Sequence, residues 1–416
     1  MKKTFRLFLI LFLGILGGTL SLLIVNALPN EKMQMHISES VSVMEAEGDY
    51  PMPITGYISS RLDNFTDSIM LVSATNKADT GLIDRTINMY RVCYNNKRPS
   101  EELVAYGKGD TNYSVVSYSR YWHGYQLFLK PLLLFCNYQE IRYINMYIQI
   151  LMIAFVIAVI WKKNMKLYVV PYLVMICSLM PVSVALSLQF SAIFYLMNIA
   201  IIVLLIWFDA IEAGGNTSVF FLSVGMATSF FDLLTYPLAA FGIPLIVYFM
   251  LKKKTTLLDD ALKIIQYGFI WVIGYGGMWA GKWIVGSLLL RKNIINDAVM
   301  AILNRTSSED FTRKDVILTN LSTMFETPIK GIFLIVGFIL VVCLIIKMVK
   351  HRKLYLKSFH YLLIAVMPFV WYMVMANHSY VHFWFTYRNL SVFIFAILMW
   401  LCENVEDSFS LQHSNF

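Results

Sequence analysis

The stretch "RLDNFTDSIML" sets two carboxylates, Asp63 and Asp67, four residues apart, with Arg61 just before them and an apolar run behind. On a helix that spacing puts both on one face, where they can address a single ligand. The same residues also read as a helix start, with Asp63 or Asn64 as the cap and Asp67 in the first turn. A positioned carboxylate can take the proton of an attacking hydroxyl, so Asp63 is the first candidate for a general base and Asp67 the second. Glu45, Glu47 and Asp49 in "EAEGDY" compete for that role.

Cations and aromatic rings gather in three other places. The segment "YSRYWHGYQ" carries Arg120, Tyr121, Trp122 and His123, and "NHSYVHFWFTYRN" carries His378, His382, Trp384, Tyr387 and Arg388. Lys282 stands in "GYGGMWAGKWIVG" and Asp232 in "SFFDLLTYP". Fixed cations suit a group on which negative charge grows, and Arg388, Lys282 and Arg120 are the candidates. The plain alternatives are a Lys282 that reaches toward headgroups and an Asp232 that caps a turn. An ionisable group within or beside a membrane span costs about 2.5–3.5 kcal/mol unless it is paired or faces water.

The elements that must hold these residues follow from composition. Of 416 residues, 58% are hydrophobic and 14% charged, too little polar surface to cover a water-soluble globule of this length. Helical spans are expected, because backbone groups in hydrocarbon must pair within the segment and the apolar runs approach or exceed the roughly 18 residues needed to cross. The reading is an all-α polytopic membrane protein with ten spans: about 7–27, 142–161, 167–185, 189–208, a pair around Asp232 and Pro237, 262–286, 328–347, and two flanking "NHSYVHFWFTYRN". This divides the chain into a first helix (1–28), a long connection with interfacial helices (29–141), spans two to seven (142–289), a second connection (290–327), spans eight to ten (328–402) and a tail (403–416).

Lys2, Lys3 and Arg6, then "KKNMK", "KKK" and "KMVKHRKLYLK", all fall on one side of ten spans, so both termini are expected in the cytoplasm and the long connections outside. The net charge of +8 is mostly this signal, and nucleic acid is not an expected partner. The first helix also has the parts of a cleavable signal, but its apolar run is long for one, and a retained helix is expected. A connection as long as 29–141 is functional or disordered, and its apolar and aromatic content argues for folding on the membrane surface. Residues 125–135 read as an amphipathic interfacial helix with Lys130 at headgroup level. Cys93 and Cys136 can pair; the other three of the five Cys lie in spans. No phosphate-cradling glycine loop, internal repeat or Cys-based metal spacing occurs.

In layout, and in "RLDNFTDSIML", "SRYWHGYQ", "FFDLLTYP" and "NHSYVHFWFTYR", the chain resembles the GT-C class of membrane glycosyltransferases, in particular an uncharacterised bacterial branch. The resemblance implies a GT-C-like fold in the plasma membrane, a sugar donor carried on polyprenyl phosphate, a glycan or lipid-linked acceptor, and inverting transfer at the outer face. Under it, Asp63 and Asp67 are catalytic. Arg61, Arg120, Tyr121, Trp122, His123, Asp232, Lys282, His378, His382, Tyr387 and Arg388 bind substrate, with the aromatic rings stacking on sugar or fixing the loops. In many members the acidic residue follows the first helix more closely than Asp63 does. No cofactor is implied with certainty. A divalent metal stays open: His378 and His382, four apart, would suit zinc on a helix but lack the Glu of a metalloprotease motif. The alternatives are a cell-envelope polysaccharide polymerase or ligase, relying on Arg and His without a base, and a lipid-linked-sugar flippase or transporter.

Overall fold

A computed structural model describes residues 2–76, 80–253, 255–308, 311–326, 329–351 and 357–410. The chain is all-α, with one short antiparallel hairpin, Arg91–Cys93 against Ser114–Val116, in which Val92 faces Val115. Lys254 and residues 352–356 of the "KMVKHRKLYLK" group lie outside the described residues.

Among the described residues four helices are long and apolar enough to cross a membrane: Thr4–Asn26, Tyr138–Lys162, Leu188–Ala213 and Phe383–Val405. The pair Arg313–Glu326 and Lys330–Ile346, bent by 86°, would make a fifth if it is one span. By length and composition, the described helices supply four candidate spans, or five with that pair; the expected count of ten is not shown. The other apolar segments fold as shorter helices, Lys166–Ser178, Thr217–Phe231, Leu238–Leu251 and His360–Val374. The reason is local: the run expected over 167–185 breaks at Met180, whose φ is +56°, and restarts on Pro181, a residue suited to the first turn of a helix but not its interior. The pair around Asp232 turns, as expected, in "DLLTYP", where Leu234 has φ +68°.

Leu257–Leu290 lies along Thr217–Phe231 at backbone contact. A Cβ on Gly225 would stand 2.3 Å from the Trp271 carbonyl oxygen, and one on Gly274 2.3 Å from that of Leu222, so only glycine permits this approach. One large core joins these helices around Phe221, Tyr248, Phe241 and Trp271, and a second forms inside the 29–141 connection around Met33, Ile37, Leu71, Leu103 and Tyr138. The connection is thus a folded unit, as its composition predicts.

Two local expectations are corrected. Helix Gln126–Leu133 does expose Phe128, but Lys130 is buried, and its Nζ donates to the carbonyl of Ala74 at 2.6 Å. Lys130 ends the Asn64–Thr75 helix, where a cation meets the partial negative charge of the last carbonyls. Cys93 and Cys136 are free thiols, so no disulfide joins them.

Candidate functional site

Asp63 is the N-cap of helix Asn64–Thr75, its Oδ1 accepting from the Thr66 amide at 3.1 Å. The Asp63 amide donates to Ser187 Oγ at 2.9 Å, which seats the cap against the start of Leu188–Ala213. One turn on, Asp67 is fully buried and saturated. Its oxygens accept from Tyr138 Oη at 2.6 Å, the Leu188 amide at 2.8 Å and the Gln189 amide at 3.0 Å. Asp67 thus caps a second helix across the interface, and the role of ligand for substrate passes away from it. Burial pushes Asp67 up to about 6; burial and then the Asp67 charge push Asp63 up to about 7.

The competing carboxylates are occupied. Glu47 meets Arg142 Nη1 at 2.9 Å and Asn64 Nδ2 at 2.8 Å, Asp49 meets Arg98 Nε at 2.5 Å, and Glu45 pairs with Lys108. Among the described residues no cation lies within ion-pair distance of Asp63. Its poise near neutrality is what a general base needs.

Beside it lies an aromatic shelf that holds a cation. The Arg61 guanidinium sits 4.0 Å from the Tyr50 ring centroid and 4.8 Å from that of Trp384. Tyr50 meets Trp384 edge-on at 5.3 Å and stacks on Phe65 at 5.7 Å. Stacking fixes the guanidinium plane and leaves its N–H edge for an anion. Arg61 is half-buried and has no carboxylate within ion-pair distance among the described residues. Burial and then Asp63 push Tyr50 up to about 12, so it remains a neutral donor beside that carboxylate. Tyr50 and Arg142 were not singled out by sequence; the only trace of Tyr50 is its place next to Asp49.

Arg388, expected to hold an anion, is instead fully buried. Its Nε donates to the Leu179 carbonyl at 2.8 Å and its Nη2 to that of Ser59 at 3.2 Å, while Phe190 and Tyr387 cover its faces at 4.4 and 4.8 Å. Tyr387 Oη donates to the same Ser59 carbonyl at 3.1 Å, and Ser183 Oγ to that of Ser60 at 2.7 Å. These contacts clamp the turn Ile58–Ser60 that leads into Arg61 and Asp63. Arg388 and Tyr387 therefore position the site without opening onto it.

The remaining candidates lie elsewhere. Lys282 is buried and donates to the Ile87 carbonyl at 3.0 Å, ending a short helix; it reaches neither headgroups nor Asp63. Asp232 accepts from the Thr235 amide at 2.9 Å and hydroxyl at 2.5 Å, the turn cap of the plain reading. His123 bonds the Tyr118 carbonyl at 2.8 Å and Tyr125 Oη at 3.0 Å, and burial pushes it down to about 3, so it is a neutral loop bracket. Trp122 Nε1 donates to the Met278 carbonyl at 2.7 Å. His378 bonds the Leu234 carbonyl at 2.7 Å with the His382 ring 4.9 Å away. Among the described residues no group of three His, Cys, Asp or Glu is placed to hold a metal ion. Arg120 and Tyr121 sit together, apart from the Asp63 shelf.

Two recesses flank the site. An apolar groove of about 360 Å³ runs between helices Gln126–Leu133, Tyr138–Lys162 and Leu188–Ala213, lined by Met70, Phe128, Ile141, Leu188, Tyr195 and Phe231. Met70 and Leu188 are close neighbours of Asp67. A polar cleft of about 880 Å³ is lined by Glu45, Asp49, Tyr50, Lys97, Arg98 and Asp110.

Fold and site together define an all-α chain with several helices long enough to cross a membrane and a folded unit that carries a poised carboxylate. Comparisons with protein families, with curated proteins and with solved structures return no match to it. The likeness to the GT-C class therefore rests on the residues quoted from the sequence.

Proposed function

We propose that this chain is a GT-C-type membrane glycosyltransferase that moves a sugar from a polyprenyl-phosphate donor to a glycan or lipid-linked acceptor. Asp63 takes the proton of the acceptor hydroxyl as its oxygen bonds to the anomeric carbon. The bond from that carbon to the phosphate oxygen breaks, the configuration inverts, and the phosphate leaves with its charge on Arg61. The prenyl chain lies in the apolar groove, and the acceptor enters by the polar cleft at Tyr50. In this reading the apolar segments form ten spans in the plasma membrane, both termini are cytoplasmic, and the site faces outward.

One observation carries the proposal: Asp63, which among the described residues has no ion-pair partner and takes its donors from Thr66 alone, is raised to about 7 and stands beside a stacked arginine with no carboxylate at ion-pair distance. The test is turnover of extracted polyprenyl-linked sugars. Asp63→Asn caps a helix about as well as Asp, so the protein should fold and bind donor while losing about a hundredfold or more in rate. Asp67→Asn should lower stability more than turnover per folded molecule. Wild-type turnover by Asp63→Asn sinks the base assignment.

The capping bond of Asp63 favours a second reading, a polysaccharide polymerase or ligase that uses Arg61 without a base. That reading is the outcome if Arg61→Ala is inactive on lipid-linked glycan while Asp63→Asn is not.

A further inference from the structure

A second set of donors surrounds Tyr121. Arg120 and Arg305 each place the guanidinium carbon 5.7 Å from its ring centroid, and the Trp279 ring meets it edge-on at 5.1 Å. Arg305 Nη2 donates to Tyr121 Oη at 2.5 Å. Arg120 and Trp279 turn their remaining donors only toward hydroxyls, those of Tyr121 and Tyr275, and not toward a carboxylate of the core.

The acid side of this cluster is nearly empty. Among the described residues the one carboxylate within ion-pair distance is Asp297, an exposed side chain 3.5 Å from Arg120 Nη1, a contact of the kind worth little in water. Arg305 has none. Three separate elements bring the donors together: the 118–123 loop, pinned by Trp283 Nε1 on the Arg120 carbonyl at 3.0 Å; helix Leu257–Leu290, with Trp279; and helix Ile294–Thr306, with Arg305. Asn377 Nδ2 ties the end of that last helix to the 376–381 segment through the Asn304 carbonyl at 2.8 Å. A convergent fork pair whose one acid partner is a loosely held, exposed carboxylate is an arrangement that can bind a phosphate.

We propose that the Arg120–Tyr121–Arg305 cluster is a second anion site, taking a phosphate group either carried on a lipid or free in solution. The Arg305 charge reaches His382, from which rings run to the first cation: His382 stacks on Phe385 at 5.1 Å, Phe385 meets Trp384 at 4.8 Å, and Trp384 carries Arg61. Two anion sites thus flank one aromatic segment. Resting on the transferase reading, this names the acceptor class: a molecule that itself bears phosphate, held at Tyr121 while the donor phosphate lies on Arg61. The anion site does not depend on that reading.

The test is native mass spectrometry of the detergent-solubilised full chain titrated with farnesyl phosphate, beside farnesol and inorganic phosphate. Wild type should take two farnesyl phosphates. Arg120→Gln with Arg305→Gln should weaken one binding event about tenfold or more, and Arg61→Gln should weaken the other. Loss in the inorganic phosphate arm as well identifies a free-anion site; loss with farnesyl phosphate alone identifies a lipid-borne one. Both binding events surviving the double variant, or farnesol binding equally well, overturns the proposal. If the double variant removes one event and Arg61→Gln removes none, the second site stands and the transferase reading loses its phosphate holder. Should the glutamine variants not fold, Arg305→Lys replaces the fork with a point charge and should weaken one event about threefold; unchanged binding overturns the site.

Discussion

Asp63 and Asp67 have the same side chain, four residues apart, and the structure sends them to different work. Asp67 accepts three hydrogen bonds from two other elements, whereas the donors that reach Asp63 come from Thr66 of its own helix. With Asp67, Arg61 and Tyr50 as its ionisable neighbours, Asp63 titrates near 7 against an ordinary carboxyl value of 3.8. If it is the base, the rate should climb as pH rises through about 7 and then level, and Asp63→Asn should abolish that limb. Stability should move the other way. A carboxyl whose folded value is raised binds more protons folded than unfolded, so its contribution is intact below about pH 4 and is lost as pH rises to 7. The melting temperature of wild type relative to Asp63→Asn should therefore fall across that window, and a flat difference would show that Asp63 is not raised. Arg61 makes a second prediction at this scale: Arg61→Lys keeps the charge but not the planar stack, and should recover little of the activity lost in Arg61→Ala.

Between elements, buried cations serve as fasteners. Lys130 ends Asn64–Thr75, Lys282 ends Leu82–Asn88, and Arg388 binds carbonyls from two separate turns. Each is taken up by backbone carbonyls, so insertion cost alone is a poor guide to ligand binding. A lysine or arginine that satisfies orphan carbonyls at a helix end meets the same demand for a partner. Arg388→Ala would strand the Leu179 carbonyl, leave that of Ser59 to Tyr387 alone and loosen the turn before Asp63. The expected result is a stability loss of about 3 kcal/mol or more, read as a lower melting temperature and reduced membrane yield. Normal stability with no turnover would instead return Arg388 to the site.

Across the whole molecule, the long connection is a folded body seated on the helix ends. Gly124 shows how close the seating is: its amide donates to the Phe230 carbonyl at 2.9 Å, and a Cβ there would lie 2.4 Å from that oxygen. The side of the membrane on which this body lies is set by the Lys and Arg that flank the spans. In a background without native cysteines, Asn112→Cys should react with an impermeant thiol reagent in intact cells and Lys163→Cys should not. The reverse pattern would place the proposed site inside.

Composition and apolar run length determined the helical class, the presence of spans and a folded 29–141 region, because solvent preference is a sum over residues and needs no knowledge of contacts. The pairing of Asp63 with its own helix was legible too, since an N-cap is a local event within four residues. The break inside the run 167–185 was not, because Met180 adopts left-handed backbone that apolar content does not announce. Nor was the division of labour among the charges. Tyr50, Arg61 and Trp384 meet across more than three hundred residues, as do Ser59 and Arg388, and Arg305 reaches Tyr121 from a helix 184 residues away. A charge becomes a ligand, a cap or a clasp according to which donors and acceptors reach it first. For this chain only the tertiary packing decides that, because burial and partner set are properties of the assembled helices and not of any local stretch.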